Sequence, residues 1–132
     1  MSTISRRTGL LALAVTFSAG IHAALVPEHL EEMPRLGYAF VAASAVGVVL
    51  ACALVSRPGD PRISLLAGLF CLAQIAAWAL FVNLPLPGFP GTPEPIENIA
   101  LVSKAAELAA VILAFPLTLP RSVRRTWGLE GA

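Results

Sequence analysis

Four long apolar runs constrain this chain more than any other feature. Residues 8–26, 36–55, 63–82 and 99–119 form these runs, each close to the ~20 residues with which a helix rising ~1.5 Å per residue crosses a ~30 Å hydrocarbon core. Of the 132 residues, 57% are hydrophobic and only 13% charged, against about 25% charged in an ordinary soluble domain. The natural solvent is therefore a bilayer. In lipid a backbone must satisfy its own hydrogen bonds, so each run is expected to be a helix. The fold expected is an all-α four-helix transmembrane bundle of two hairpins in a single integral membrane domain, 1–132. A net charge of +1, with basic residues not interleaved with aromatics, excludes a nucleic-acid surface. Membrane lipid is the partner that composition names.

Each run has its own marks. Arg6 and Arg7 precede the first. This start also resembles a secretory signal with a loose twin-arginine pattern, and cleavage after Ala23 would remove His22, but the length of the run suits a retained span. In the second run Ala39, Ala43, Gly47 and Ala51 recur at every fourth position, a stripe that lets a neighbouring helix approach closely. Ser56-Arg57-Pro58-Gly59-Asp60-Pro61-Arg62 reads as a tight polar turn. The third run has Gln74 as its only strongly polar residue and Trp78 near its far end, where an indole suits the interface. Residues 83–98 hold five prolines and no lysine or arginine, which makes an extended connection outside the lipid. The fourth run carries Lys104 and Glu107 and meets Pro116 late; the tail adds Arg121, Arg124, Arg125 and Trp127. Cys52 and Cys71 fall in separate runs, where a thiol is a packing group.

Arg6, Arg7, Arg57, Arg62, Arg121, Arg124 and Arg125 all fall at one end of such a bundle, with only Arg35 in the opposite loops. The positive-inside rule then places both termini in the cytoplasm. The opposite mouth, with His29, Glu28, Glu31, Glu32, Glu94 and Glu97, is acidic. Pro27-Glu28-His29-Leu30-Glu31-Glu32-Met33 and Pro93-Glu94-Pro95-Ile96-Glu97-Asn98-Ile99 share the form Pro-Glu-x-(Leu/Ile)-Glu-x-(Met/Ile). Such a repeat implies two parallel hairpins related by an axis along the membrane normal.

Candidate chemistry gathers on a few residues. His22 and His29 are seven apart, two helical turns, and share a face on a continuous helix, although Pro27 is expected to kink or end it. Imidazole with carboxylate suits Zn, Fe, Mn or Cu(II), whereas Cu(I) prefers sulfur. Glu107 lies ~13 Å below the outer surface by the helical rise. It pairs with Lys104 one turn above it, or faces the bundle interior and forms, with His22, the floor of an outward-facing polar pocket. A bis-histidine haem is disfavoured, because both imidazoles come from one segment. There is no Ser-His-Asp set, phosphate loop or nucleotide motif, so any catalysis would be metal-based.

Gly20-x-His22 followed by Pro27-Glu28-His29, the stretch Leu86-Pro87-Gly88-x-Pro90-Gly91-x-Pro93-Glu94, and Glu107 resemble, over nearly the whole chain, a group of small four-span bacterial membrane proteins of no assigned activity. That resemblance implies four helices in a bacterial plasma membrane and points to His22, Glu28, His29 and Glu107. It departs at Ala100, where members of the group often carry an acid. The leading expectation is a divalent metal or other cation (Zn, Fe, Mn or Cu) held by His22, Glu28, His29 and Glu107 in an extracytoplasmic pocket. The alternatives are a non-catalytic accessory subunit whose small-residue stripe docks another membrane protein, with the acidic loops as a contact surface, and a small proton-coupled transporter, as a homo-oligomer such as a dimer, using Glu107.

Overall fold

The computed structural model describes residues 4–84, 97–119 and 121–129. These residues form four long helices, α1 (Arg6–Glu32), α2 (Pro34–Ser56), α3 (Pro61–Asn83) and α4 (Asn98–Thr118), and a short α5 (Arg121–Thr126). All four long helices have the length and apolarity to cross a membrane. The expected spans lie inside the helices to within a residue or two. The chain is therefore a multi-pass membrane bundle built of two hairpins. Residues 85–96 of the proline-rich connection, and with them the first four positions of the repeat copy at 93–99, lie outside the described residues.

Local chemistry explains the boundaries. Ser5 caps α1 by accepting from the Thr8 amide at 3.1 Å. Asp60 caps α3 through the Arg62 amide at 2.9 Å, with Pro61 at the first helical position, where a missing N–H costs nothing. Between α2 and α3 the Asp60 amide returns to the Arg57 carbonyl, and Gly59 adopts φ +89°, as the third residue of a Pro-Gly turn requires.

Of the two outcomes expected at Pro27, a kink or an end, the structure removes the second. The helix does not end there but runs on to Glu32. A proline removes one N–H, and a membrane helix tolerates the loss where the turns on either side stay bonded. Here the His29 imidazole Nδ1 donates to the Leu25 carbonyl and the Met33 amide closes on the His29 carbonyl. Glu28, Glu31 and Glu32 thus belong to the last turns of a helix rather than to a loop. Met33 alone joins α1 to α2, with Pro34 opening α2.

The helices pack around the bundle in the order α2, α1, α4, α3, and the contact of α3 back to α2 is the lightest of the neighbouring contacts. Within each hairpin the helices run antiparallel at close range. A Cβ placed on Gly37 would stand 2.7 Å from the Leu30 amide nitrogen, one on Gly47 2.8 Å from Ala19 Cβ, and one on Gly68 2.9 Å from Ala114 Cβ. The interior is made largely of small residues, including Ala12, Ala51, Ala67, Cys71, Ala110 and Ala114, around Leu11, Val15 and Leu54. Large side chains such as Phe17, Val49, Leu66, Ile112 and Phe115 face outward. Van der Waals fit rather than exclusion from water holds membrane helices together, and small inward residues permit that fit.

Of the four-residue stripe on α2, Gly47 and Ala51 are buried while Ala39 is exposed. A row at every fourth position drifts by about 40° per step on a helix of 3.6 residues per turn, so such a stripe leaves the interface after two turns. Cys71 is buried in the core and Cys52 exposed, both as free thiols.

Gly47→Val forces α1 and α2 apart and should cost about 1–3 kcal/mol. Gly20, with nothing within 4 Å of its Cβ position, should accept alanine without loss. Thermal unfolding of the two variants in detergent measures the contrast.

Candidate functional site

Two helices meet along one seam with matching periodicity. Leu11, Val15, Ser18 and His22 are buried on α1, and Ser103, Glu107, Ala110 and Ala114 on α4. Both sets step by four, three and four residues, the rhythm of interlocking helices. The antiparallel pairing puts Leu11 and Val15 toward the alanine end of α4 and brings Ser18 and His22 to Ser103 and Glu107.

Glu107 is the centre of this polar half. Its side chain is 0% exposed, and its two oxygens are served differently. Oε1 accepts from the hydroxyls of Ser18 at 2.9 Å and Ser103 at 3.0 Å, one from each helix. Oε2 takes the Lys104 ammonium, whose side chain is 13% exposed and lies one turn nearer the glutamate-rich end. The pairing of Lys104 with Glu107 and the inward placement of Glu107 beside His22, separate readings of the sequence, are both present in one cluster.

The His22 ring completes it. Nδ1 lies 2.9 Å from the Ser18 carbonyl, and a carbonyl only accepts, so Nδ1 carries a hydrogen. Nε2 is turned to Glu107 Oε1 at 3.9 Å. In the neutral ring Nε2 presents a lone pair toward a carboxylate oxygen, so the two atoms face each other as acceptors. With α1 continuing to Glu32, His22 lies ~15 Å from the end of its helix, against the ~6 Å expected for a helix ending near Val26, and so is level with Glu107 at ~13 Å. On a shorter α1 the two groups would not meet.

The four candidate ligands do not converge. Glu28 is exposed on the penultimate turn of α1 and His29 is half-buried above His22. Among the described residues no group of three or more His, Cys, Asp and Glu side chains is gathered as a metal site would need. What comes together is His22 with Glu107. Ser18, Ser103 and Phe40 were not singled out from the sequence. The two serines had a signal: each stands four residues before a singled-out residue, Ser18 before His22 and Ser103 before Glu107, and so on the same helix face. Phe40 had none, since its edge-on contact with His22 at 5.2 Å between centroids depends on how α2 docks. Elsewhere, Gln74 Oε1 on α3 is enclosed with no hydrogen-bond partner among the described residues.

A carboxylate at this depth is stable only while its charge is answered. Lys104→Met should therefore cost about 3–5 kcal/mol, while the double variant Lys104→Met/Glu107→Gln should recover most of the loss, because it removes both charges together. Unfolding of the two single variants and the double variant in detergent gives this coupling directly.

No family model, curated protein or solved structure matches the chain, so what the cluster can do follows from its own geometry.

Proposed function

We propose that this membrane protein is a small proton-coupled cation transporter in which Glu107 is the exchanging carboxylate. One observation carries the reading: a fully buried carboxylate lies between two helices with a lysine ammonium on one oxygen and an imidazole nitrogen 3.9 Å from the other. Ionisable groups are costly inside a membrane and mark ion or proton routes when they face the interior of a bundle.

The chemistry is an exchange of positive charges at a single anion. In the closed state Lys104 neutralises Glu107 and His22 is neutral. A proton on Nε2, or a small cation between Nε2 and Oε1, adds a second positive charge to a site with one carboxylate. Lys104 is then the group free to yield, since it stands one turn nearer the glutamate-rich end and its long flexible stem can carry the ammonium that way. Ser18 and Ser103 keep Oε1 hydrogen-bonded throughout, so the carboxylate is never stripped of donors. Glu28, Glu31, Glu32 and Glu97 give that end a negative field that concentrates cations. With two protein donors in reach, the site suits a proton or a loosely held cation better than a tightly bound transition metal, for which His29 and Glu28 would have to move in. The run of arginines at the other end supports an orientation with both termini in the cytoplasm.

The test is flux in vesicles. Protein reconstituted into phosphatidylethanolamine–phosphatidylglycerol vesicles carrying an internal pH dye should dissipate an imposed pH gradient when Na⁺, K⁺ or a divalent cation is added outside. Glu107→Gln, which preserves shape and keeps one acceptor oxygen for the two serine hydroxyls but no partner for Lys104, should abolish that response in protein that circular dichroism shows to be folded. Native protein that gives no cation-dependent flux with any of these ions would reduce the cluster to a clasp between α1 and α4.

A further inference from the structure

Among the described residues, two side chains stand between the polar cluster and the glutamate-rich end. Lys104 covers Glu107 from α4. The other is Phe40, on α2, which covers His22.

Phe40 touches both imidazoles of α1. Its ring centroid lies 5.2 Å from that of His22, edge-on at 80°, and 4.7 Å from that of His29, tilted at 53°. On a continuous helix, positions seven apart are separated by ~10.5 Å along the axis and point the same way. The two centroid distances together match that separation, so the phenyl ring lies between the histidines. His29, half-buried near the end of α1, is on the outer side of the ring, and His22, 8% exposed, is on the inner side. An apolar ring thus interrupts an otherwise polar file that runs from the glutamate-rich turns through His29 to His22 and Glu107.

The placement of Phe40 is built into the hairpin. Met33 is the whole of the α1–α2 connection, and Gly37 lets α2 lie directly on the backbone at Leu30, where even a methyl group has no room. Phe40 is one turn further along α2, on the same face as Gly37, and so is carried onto the α1 surface between residues 22 and 29. A hydrophobic constriction of this kind gates by excluding water, because a proton or hydrated cation does not pass an apolar ring unless the ring swings away.

We propose that Phe40 is the gate of the buried site: its ring separates His29, on the outer side, from His22 and Glu107, and its displacement is what admits water and cations to the carboxylate. This rests on the transporter reading for its purpose, while the closure itself is a property of Phe40 and is tested separately.

The experiment is chemical access to Glu107. Folded protein in phosphatidylcholine vesicles is treated from outside with a water-soluble carbodiimide and an amine. The carboxyl oxygen adds to the carbodiimide carbon, and the amine then displaces the urea to leave an amide on the side chain, which peptide mass spectrometry quantifies. In the native protein Glu107 should label slowly beside Glu28, Glu31 and Glu32. Phe40→Ala should raise its labelling rate about tenfold, equivalent to ~1.4 kcal/mol of closure, with the rates at the three surface glutamates unchanged. Phe40→Leu, which keeps an apolar plug of lesser reach and guards against a failure of the alanine variant to fold, should give an intermediate rise, and Phe40→Trp none. Folded Phe40 variants that label Glu107 at the native rate would overturn the gate. Faster labelling in Phe40→Ala, together with no cation-dependent flux in the native protein, would keep the gate and remove the transporter. Native flux with unchanged labelling would do the reverse.

Discussion

The enclosure of one carboxylate between α1 and α4 is the constraint to which the rest of the bundle answers. Glu107 is fully buried, and an ionised group in that position needs donors from every side it faces. They come from its own helix in Ser103 and Lys104 and from the neighbouring helix in Ser18. These contacts fix the rotation of both helices about their axes and the height at which they meet. The remaining interface is mostly alanine against leucine and valine, which fits well but specifies register weakly. The polar half therefore sets the register that the apolar half then fills.

The fold was legible in the sequence because hydrocarbon leaves few options. Runs of about twenty apolar residues must be helices in a bilayer, and their ends were marked by Arg6 and Arg7, by the Pro58-Gly59-Asp60-Pro61 turn and by the prolines after Asn83. Pro27 was the misleading signal. In water it would be a sound place to end a helix, but Glu28-His29-Leu30-Glu31-Glu32 continues the hydrogen-bonded spiral and the imidazole of His29 supplies a donor of its own. Reading a helix end there raised His22 too near the surface and made His29 and three glutamates into loop residues.

The site was half legible for a related reason. A lone carboxylate and a lone imidazole stand out in apolar runs, so Glu107 and His22 were visible, and they prove to be neighbours. Glu28 and His29 stood out equally, yet one is exposed and the other packs on Phe40. Periodicity within one helix separates these cases only when the partner helix is known, because burial in a bundle is decided by which face a neighbour covers. The serines escaped notice because hydroxyls are common in membrane helices, where they bond back to a carbonyl four residues earlier, as Ser44 does to Phe40. Ser18 and Ser103 instead spend their hydrogens on the carboxylate.

The one-residue joint at Met33 also decides how the bundle can move. A connection without slack, seated where Gly37 meets the backbone at Leu30, makes α1 and α2 a single lever. The turn at Gly59 is short too, but α2 and α3 touch only lightly, so little packing holds the two hairpins together on that side. Any displacement that respects these joints is a rocking of one hairpin against the other, and its shear plane is the α1–α4 seam. The buried charges lie in that plane, so a tilt between the hairpins would pull directly on the contacts that hold Glu107.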